Sequence, residues 1–131
     1  MTSWLWPYLL VGAGGFLGAN ARFILARGIG TMIDTRFPLG TLVVNISGSF
    51  LMGILGAVLA DRVLPDAPGV RMALAIGFLG GFTTFSTFEF ETHALLEEGS
   101  WLLATANVLV SVLVGLLAVR AGIVAARSWP G

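Results

Sequence analysis

The sequence has no cysteine, no lysine and one histidine, and only 11% of its 131 residues are charged. Without cysteine, disulfide bonds, thiolate nucleophiles and cysteine-based zinc sites are excluded. The single histidine, His93, cannot build a histidine metal cluster within one chain. A soluble domain carries about a quarter charged residues, so this chain has too few charges to cover a surface that faces water. These deficits predict a protein whose surface faces lipid.

The charge balance gives no reason to expect a nucleic-acid partner. Seven acidic residues balance seven arginines, so the formal net charge is zero, whereas nucleic-acid binding needs a basic patch or stripe. No stretch resembles a nucleotide site, and no nucleophile–base pair or metal cluster can be assembled. We therefore expect that the protein is not an enzyme and that it binds neither nucleic acid nor nucleotides. The apolar N-terminus lacks a basic region and a cleavage site, which favours a first membrane helix over a signal peptide.

Hydrophobic residues make up 56% of the chain. A helix that spans a membrane needs about 20 mostly apolar residues, and four segments reach that length. We predict a single transmembrane domain over residues 1–131, with helices at about 4–26, 39–60, 71–96 and 101–125. Trp4, Trp101 and Trp129 lie near segment ends, where aromatic side chains mark the membrane interface. The predicted fold class is an all-α membrane protein.

The third segment has an unusual centre. Residues 77–88 read GFLGGFTTFSTF, which combines three glycines with four hydroxyl side chains. Paired glycines weaken a helix, and non-helical backbone at membrane depth is tolerated only where it is buried in protein or lines a cavity. We predict that the third helix is broken near the bilayer centre. The alternative is a continuous helix whose glycines allow close packing against a neighbour.

Small polar residues form one stripe along the second helix and another along the fourth. Thr41, Asn45 and Ser49 are four residues apart, and so are Asn107 and Ser111. This spacing places each set on one helix face. Their amide and hydroxyl groups offer N–H and O–H donors, which suit a small anion when no cation is buried beside them. The alternative is that the stripes serve helix packing, with Asn45 as a hydrogen-bonding contact between helices.

Two phenylalanines lie within the hydroxyl-rich part of the third segment. Phe85 and Phe88 are three residues apart and so share a helix face. An aromatic ring has a positive edge, so rings presented edge-on can contact an anion without any charged side chain. The alternative is that both are ordinary core or lipid-facing residues.

Ionisable residues are scarce within the segments, and Arg22 is the clearest case. It lies near the end of the first segment, and an ionisable residue near membrane depth indicates a functional role. We expect Arg22 to line a vestibule or to act as an anchor, unless it snorkels to the interface. We expect Glu89, Glu91 and His93, which follow Phe88, at a surface-facing helix end.

The orientation in the membrane is almost undecided. With a cytoplasmic N-terminus, the outer side would hold Arg27 and Arg36, and the inner side Arg62, Arg71, Arg120 and Arg127. A difference of one or two arginines is a weak bias under the positive-inside rule. Insertion in both directions would allow an antiparallel homodimer with a two-fold axis in the membrane plane.

Three stretches together resemble the Fluc (CrcB) family of fluoride channels. They are residues 14–22 (GGFLGANAR), 40–50 (GTLVVNISGSF) and 77–88 (GFLGGFTTFSTF), on three of the four segments in order. The resemblance implies an antiparallel, dual-topology homodimer in the cell inner (plasma) membrane, with two fluoride pores at the subunit interface. It also implies passive export of toxic fluoride, with fluoride and membrane lipid as partners.

The resemblance further implies roles for single residues. The expected pore or fluoride residues are Asn45, Phe85, Phe88, Thr41, Ser49, Ser111 and Thr87. Gly80 and Thr83 match positions whose main-chain carbonyls, from both subunits, hold one structural Na⁺ on the two-fold axis. Some members of the family carry a second hydroxyl one turn after Ser111, where this chain has Gly115, so Asn107 could compensate.

Two other membrane functions are open to a chain of this kind. Small multidrug transporters are similar in having four helices and dual topology, but they carry a glutamate in the first helix. The first segment here has no acidic residue, which argues against that function. A structural subunit or assembly factor would explain the glycine-rich packing, but it would not explain the donor stripes or the residues 83–88.

Overall fold

The computed structural model describes residues 3–61 and 67–130. Within these ranges the chain has no β-strand, and four helices are long and apolar enough to cross a membrane. This confirms the predicted all-helical class and the number of spanning helices. The helices are α1 (Trp6–Met32), α2 (Leu39–Ala60), α3 (residues 67–82), α4 (Phe85–Glu97) and α5 (Trp101–Ser128). The third span, Pro68–Glu97, contains α3 and α4. Arg62, which enters the orientation argument, lies outside the described residues.

Helix α1 continues six residues beyond the predicted end at residue 26. It begins with Pro7 in its first turn, where the missing N–H of proline has no helical acceptor to lose, and it ends at Met32. Arg27 lies within this helix, and its guanidinium lies 5.8 Å from the ring centre of Phe23, one turn earlier. The charge of Arg27 therefore did not mark the end of the helix.

Helix α1 packs directly on the main chain of α3. Gly14 and Gly18 are buried on α1, and a Cβ atom at either position would meet main-chain atoms of α3, at Ala73 and Phe78 respectively. Small residues at such a contact let two membrane helices approach closely. The glycines of the first stretch therefore determine where α3 lies.

Helix α2 lies between α1 and α5 and has its most extensive contact with α5. At one end of this pair, Arg127 Nε lies 3.5 Å from Asp61 Oδ2, and both side chains are exposed. At the other end, a tight turn joins α4 to α5. Gly99 adopts a φ of 77° in this turn, a left-handed conformation that suits glycine. The turn brings the C-terminal end of α4 beside the start of α5.

The third span changes its backbone conformation along its length. Helix α3 consists of Ala67–Val70, a π-helical segment Arg71–Leu79 and a final turn Gly80–Phe82. Thr83 and Thr84 are extended, with ψ angles of 156° and 115°. The helix resumes at Phe85. The two extended residues thus separate the C-terminal carbonyl end of α3 from the N-terminal N–H end of α4.

Candidate functional site

The extended residues are held by a side chain from another helix. Asn45, on α2, donates from Nδ2 to Thr84 O at 2.9 Å, and its Oδ1 accepts from Thr84 N at 2.7 Å. One amide side chain thus satisfies both main-chain groups of Thr84, as buried backbone requires. Thr84 in turn caps α4, because its Oγ1 accepts from Thr87 N at 3.2 Å.

This pairing determines which main-chain groups lack a hydrogen-bond partner near the gap, the two extended residues between α3 and α4. In a continuous helix, the Thr84 N–H would donate to the carbonyl of Gly80, four residues earlier. It donates to Asn45 instead, so the Gly80 carbonyl loses its helical donor. Across the gap, the N–H groups of Phe85 and Ser86 open α4 without an acceptor in the described part of the chain. The carbonyl end of α3 favours a cation, and the N–H end of α4 favours an anion.

A groove of about 340 Å³ runs beside this gap on the surface of the single chain. Asn45 and Ser49 of α2, Phe85 and Phe88 of α4 and Ser111 of α5 all line it. The remaining lining residues are Gly48, Met52, Thr83, Thr84, Val112 and Val119. None of the described residues along the groove is charged. Five of the seven predicted pore residues, from three helices, therefore come together in one place.

The groove offers several hydrogen-bond donors. Asn45 keeps one Nδ2 hydrogen beyond the one that it gives to Thr84. Ser49 donates to no other described residue, so its O–H can turn into the groove. Gly115 is buried, and a Cβ atom there would lie 3.8 Å from Ser49 Oγ. A hydroxyl side chain at position 115 would therefore lie beside Ser49. In this chain, Ser49 is the hydroxyl on this side of the groove.

The two phenylalanines of the groove differ in exposure. Their ring centres lie 5.8 Å apart with the planes tilted by 48°. Phe88 is buried, whereas Phe85 is 73% exposed. A large ring that remains open at the edge of a polar groove is available to a second protein chain or to lipid.

A second cavity, of about 420 Å³, lies between α1, α2 and α4. Thr41 and Thr87, the other two predicted pore residues, line this cavity and not the groove. Arg22 lines it as well, and its Nη1 donates to Thr83 O in a long contact of 3.4 Å. Arg22 thus occupies a cavity wall and also touches the extended residues.

Glu91 is the residue of this region that the sequence patterns missed. A surface-facing position was expected, and that expectation is wrong for Glu91, although Glu89 and His93 are exposed. Glu91 is half-buried in the second cavity, where its Oε1 accepts from Thr41 Oγ1 at 2.9 Å. Its Oε2 is buried without a hydrogen-bond partner among the described residues. Its position four residues after Thr87, on the same helix face, was the available signal.

The polar stripe of the fourth span divides in the same way. Ser111 lines the groove, but Asn107 is only 1% exposed and lies behind it, between α4 and α5. Asn107 Nδ2 donates to Thr92 Oγ1 at 2.8 Å, and its Oδ1 accepts from Ser111 Oγ at 3.4 Å. Asn107 therefore does not supply the groove wall that Gly115 leaves without a hydroxyl.

Gly80 and Thr83, expected as carbonyl ligands of Na⁺, lie at the C-terminal end of α3. Gly80 is exposed, and its carbonyl has lost its helical donor to Asn45. Thr83 O receives the long contact from Arg22 at 3.4 Å, which leaves a second lone pair. Carbonyls of unwound backbone are the kind of ligand that Na⁺ takes in membrane proteins. The residues present fit a cation that also receives ligands from a second chain.

The site as a whole is suited to weak binding of a small anion. Amide and hydroxyl donors, two phenylalanine rings and the first N–H groups of α4 all lie along or beside the groove. Each such contact is individually modest in strength. Arg22 and Glu91 lie in the neighbouring cavity, so the formal charges flank the groove without lining it.

Comparison with known proteins places these features in a family. The family model described as "CrcB-like protein, Camphor Resistance (CrcB)" matches residues 9–123. A protein named "Fluoride-specific ion channel FluC" from Solibacter usitatus is 48% identical over 120 residues, which cover 92% of this chain and 98% of that relative. Its namesake from Geobacter sulfurreducens is 47% identical over 120 residues, covering 91% and 95%. A longer namesake from Methylococcus capsulatus is 50% identical over 117 residues, covering 89% of this chain and 51% of the relative.

The match to the family model, over residues 9–123, includes most of α1, the paired residues Asn45 and Thr84, and most of α5. The relatives are named as ion channels, not enzymes, in agreement with the non-enzymatic function expected from the sequence. The four long apolar helices agree with a multi-pass membrane protein. On this evidence the chain belongs to the CrcB family, a family of ion channels.

Proposed function

We propose that the chain is a fluoride-selective channel that lets toxic fluoride leave the cell passively. The observation that carries this proposal is the groove, which is lined by polar side chains from three helices and by two phenylalanine rings. None of the described residues that line it is charged. The name of the relatives, fluoride-specific ion channel FluC, supplies the identity of the ion.

The chemistry of fluoride explains why such a groove is suitable. Fluoride is small and strongly hydrated, so a pore has to replace its water with donors and still let the ion leave. Asn45, Ser49 and Ser111 supply donors, and the edges of Phe85 and Phe88 supply weak positive contacts. A negative-inside potential drives an anion outward with about 2.3 kcal/mol per charge per 100 mV. Passive export therefore needs no coupled ion and no ATP.

The working unit in this proposal is an antiparallel homodimer in the cell inner (plasma) membrane, with two pores at its interface. The groove is open on one side in a single chain, and the largely exposed Phe85 lies at its edge. A second copy of the chain packed on this side would close the groove and bury Phe85. The gap at Thr83 and Thr84 divides the third span into residues 68–82 and 85–97. These pieces are similar in length, which supports a broken helix near the bilayer centre and a two-fold axis through the gap.

One structural Na⁺ on this axis belongs to the same proposal. The carbonyls of Gly80 and Thr83 from two chains would offer four oxygen ligands, and the pairing of Asn45 with Thr84 N supports a free Gly80 carbonyl. A bound cation would supply a fixed positive charge between the pores.

Anion efflux from liposomes tests the proposed function. Purified protein is reconstituted into liposomes loaded with the potassium salt of either fluoride or chloride, a potassium ionophore lets K⁺ leave with the anion, and release is followed with ion-selective electrodes. We expect rapid release of fluoride and retention of chloride. Equal release of both anions, or release of neither, contradicts the proposal.

A further inference from the structure

We propose that Asn107 is a positioning residue that competes with the permeating anion for the hydroxyl proton of Ser111, an inference that rests on the proposed function. Ser111 lines the groove, and Asn107 lies one helical turn earlier on α5. Asn107 is 1% exposed, so it does not reach the anion itself. Any influence on the anion has to pass through Ser111.

A chain of hydrogen bonds with one direction connects the groove to the main chain of α4. Thr92 Oγ1 donates its only proton to Phe88 O at 2.7 Å, so towards Asn107 it can only accept. It accepts from Asn107 Nδ2 at 2.8 Å. This orients the Asn107 amide with its oxygen towards Ser111, whose Oγ donates to Oδ1 at 3.4 Å. The proton of Ser111 is therefore directed into the protein, and its lone pairs are left for the groove.

An anion in the groove needs that proton as a donor. The Ser111–Asn107 distance of 3.4 Å is long for an O–H···O bond, which is commonly about 2.8 Å, so the bond is weak and the hydroxyl can rotate. Rotation leaves Oδ1 of Asn107 without a donor in a buried place, which costs free energy. This cost weakens the hold of Ser111 on the anion. Weak binding of that kind is what rapid release of a permeating ion requires.

The fluoride concentration that gives half-maximal efflux from liposomes tests this competition. Asn107→Leu removes the acceptor at similar side-chain volume, and we expect the half-saturating concentration to fall about threefold. A weak hydrogen bond corresponds to a factor of about two to ten in binding. The maximal efflux rate should fall as well, because a tightly held ion leaves slowly.

The double variant makes the test specific for Ser111. Ser111→Ala should raise the half-saturating concentration, and adding Asn107→Leu to it should cause no further shift. Thr105→Leu, an exposed position two residues before Asn107, is the matched control and should behave as the wild type. An unchanged or raised value in Asn107→Leu, or a shift that persists without the Ser111 hydroxyl, overturns the inference. Wild-type liposomes that release no fluoride overturn the proposed function itself.

A measurement on the wild-type dimer keeps the inference testable if Asn107→Leu does not assemble. The chain has three asparagines, Asn20, Asn45 and Asn107, so selective labelling gives three side-chain amide signals in NMR spectra. Fluoride should shift the signal of Asn107, chloride should not, and Ser111→Ala should abolish the shift. An Asn107 signal that does not respond to saturating fluoride contradicts the competition.

Discussion

The two hydrogen bonds between Asn45 and Thr84 allow a quantitative test of how the third span is built. Asn45→Ala removes both, at 2.9 Å and 2.7 Å, and leaves the N–H and C=O of the buried Thr84 without partners. An unsatisfied buried group costs about 1–3 kcal/mol, so the two together cost about 2–6 kcal/mol. Folded domains are stable by about 5–15 kcal/mol. We therefore expect a clearly lower unfolding temperature for the purified variant.

The same variant should lose fluoride efflux. The chain can recover part of the cost if the Thr84 N–H donates to Gly80 again, which would join α3 and α4 and displace Phe85 from the groove. Asn45→Asp separates the two effects, because it keeps an acceptor for Thr84 N but loses the donor and adds a negative charge to the groove. We expect Asn45→Asp to retain part of the stability and to release no fluoride.

Asn20→Ala is the matched control for this substitution. Asn20 is exposed, and its Nδ2 donates to Phe16 O of its own helix at 2.7 Å. A substitution at such a position should change the free energy of unfolding by less than about 0.5 kcal/mol and leave efflux intact. If Asn45→Ala unfolds at the same temperature as Asn20→Ala and releases fluoride at the wild-type rate, the pairing of Asn45 with Thr84 does not hold the third span.

Three further predictions concern the groove, the helix packing and the cation. Phe85 and Phe90 are equally exposed, at 73% and 74%, but Phe85 lines the groove and Phe90 does not. Phe85→Ala should therefore reduce fluoride efflux up to about tenfold, and Phe90→Ala should not; equal rates would remove Phe85 from the ion path. Gly18→Ala should lower the free energy of unfolding by about 1–3 kcal/mol, because its Cβ would meet main-chain atoms of Phe78. Gly12→Ala is the control and should leave thermal unfolding unchanged, because a Cβ there has no neighbour within 4 Å. Replacing Na⁺ by a large organic cation should abolish efflux, and unchanged efflux would contradict the Na⁺ proposal.

The main features of the fold follow from simple properties of the sequence. The length of the apolar runs was sufficient for the four spans, because the bilayer sets the length of a spanning helix. The four-residue spacing of Asn45 and Ser49 was sufficient to place them on one face of α2. The hydroxyl-rich string after Gly80 indicated a backbone that departs from a helix. What each extended residue pairs with could not be read from spacing, because Asn45 lies on a different helix.

The periodicity of the sequence could not predict which residues of each polar stripe line the groove and which lie elsewhere. Thr41 shares a helix face with Asn45, yet it donates to Glu91 in the second cavity because α4 crosses that end of α2. Asn107 shares a face with Ser111, yet the turn at Gly99 brings α4 over it and buries it. Periodicity gives the face of a helix, whereas the neighbour that covers the face depends on packing between distant segments.

Reconstitution at less than one of the proposed dimers per liposome is the sharpest test of a fluoride-selective channel. Protein is diluted into liposomes that contain potassium fluoride and potassium chloride, a potassium ionophore lets K⁺ leave with the anion, and the fraction of each anion released is measured. We expect a fraction of the liposomes to lose all its fluoride at once while retaining chloride, and this fraction should follow the amount of protein added. Release of chloride together with fluoride, or complete retention of fluoride, would contradict it.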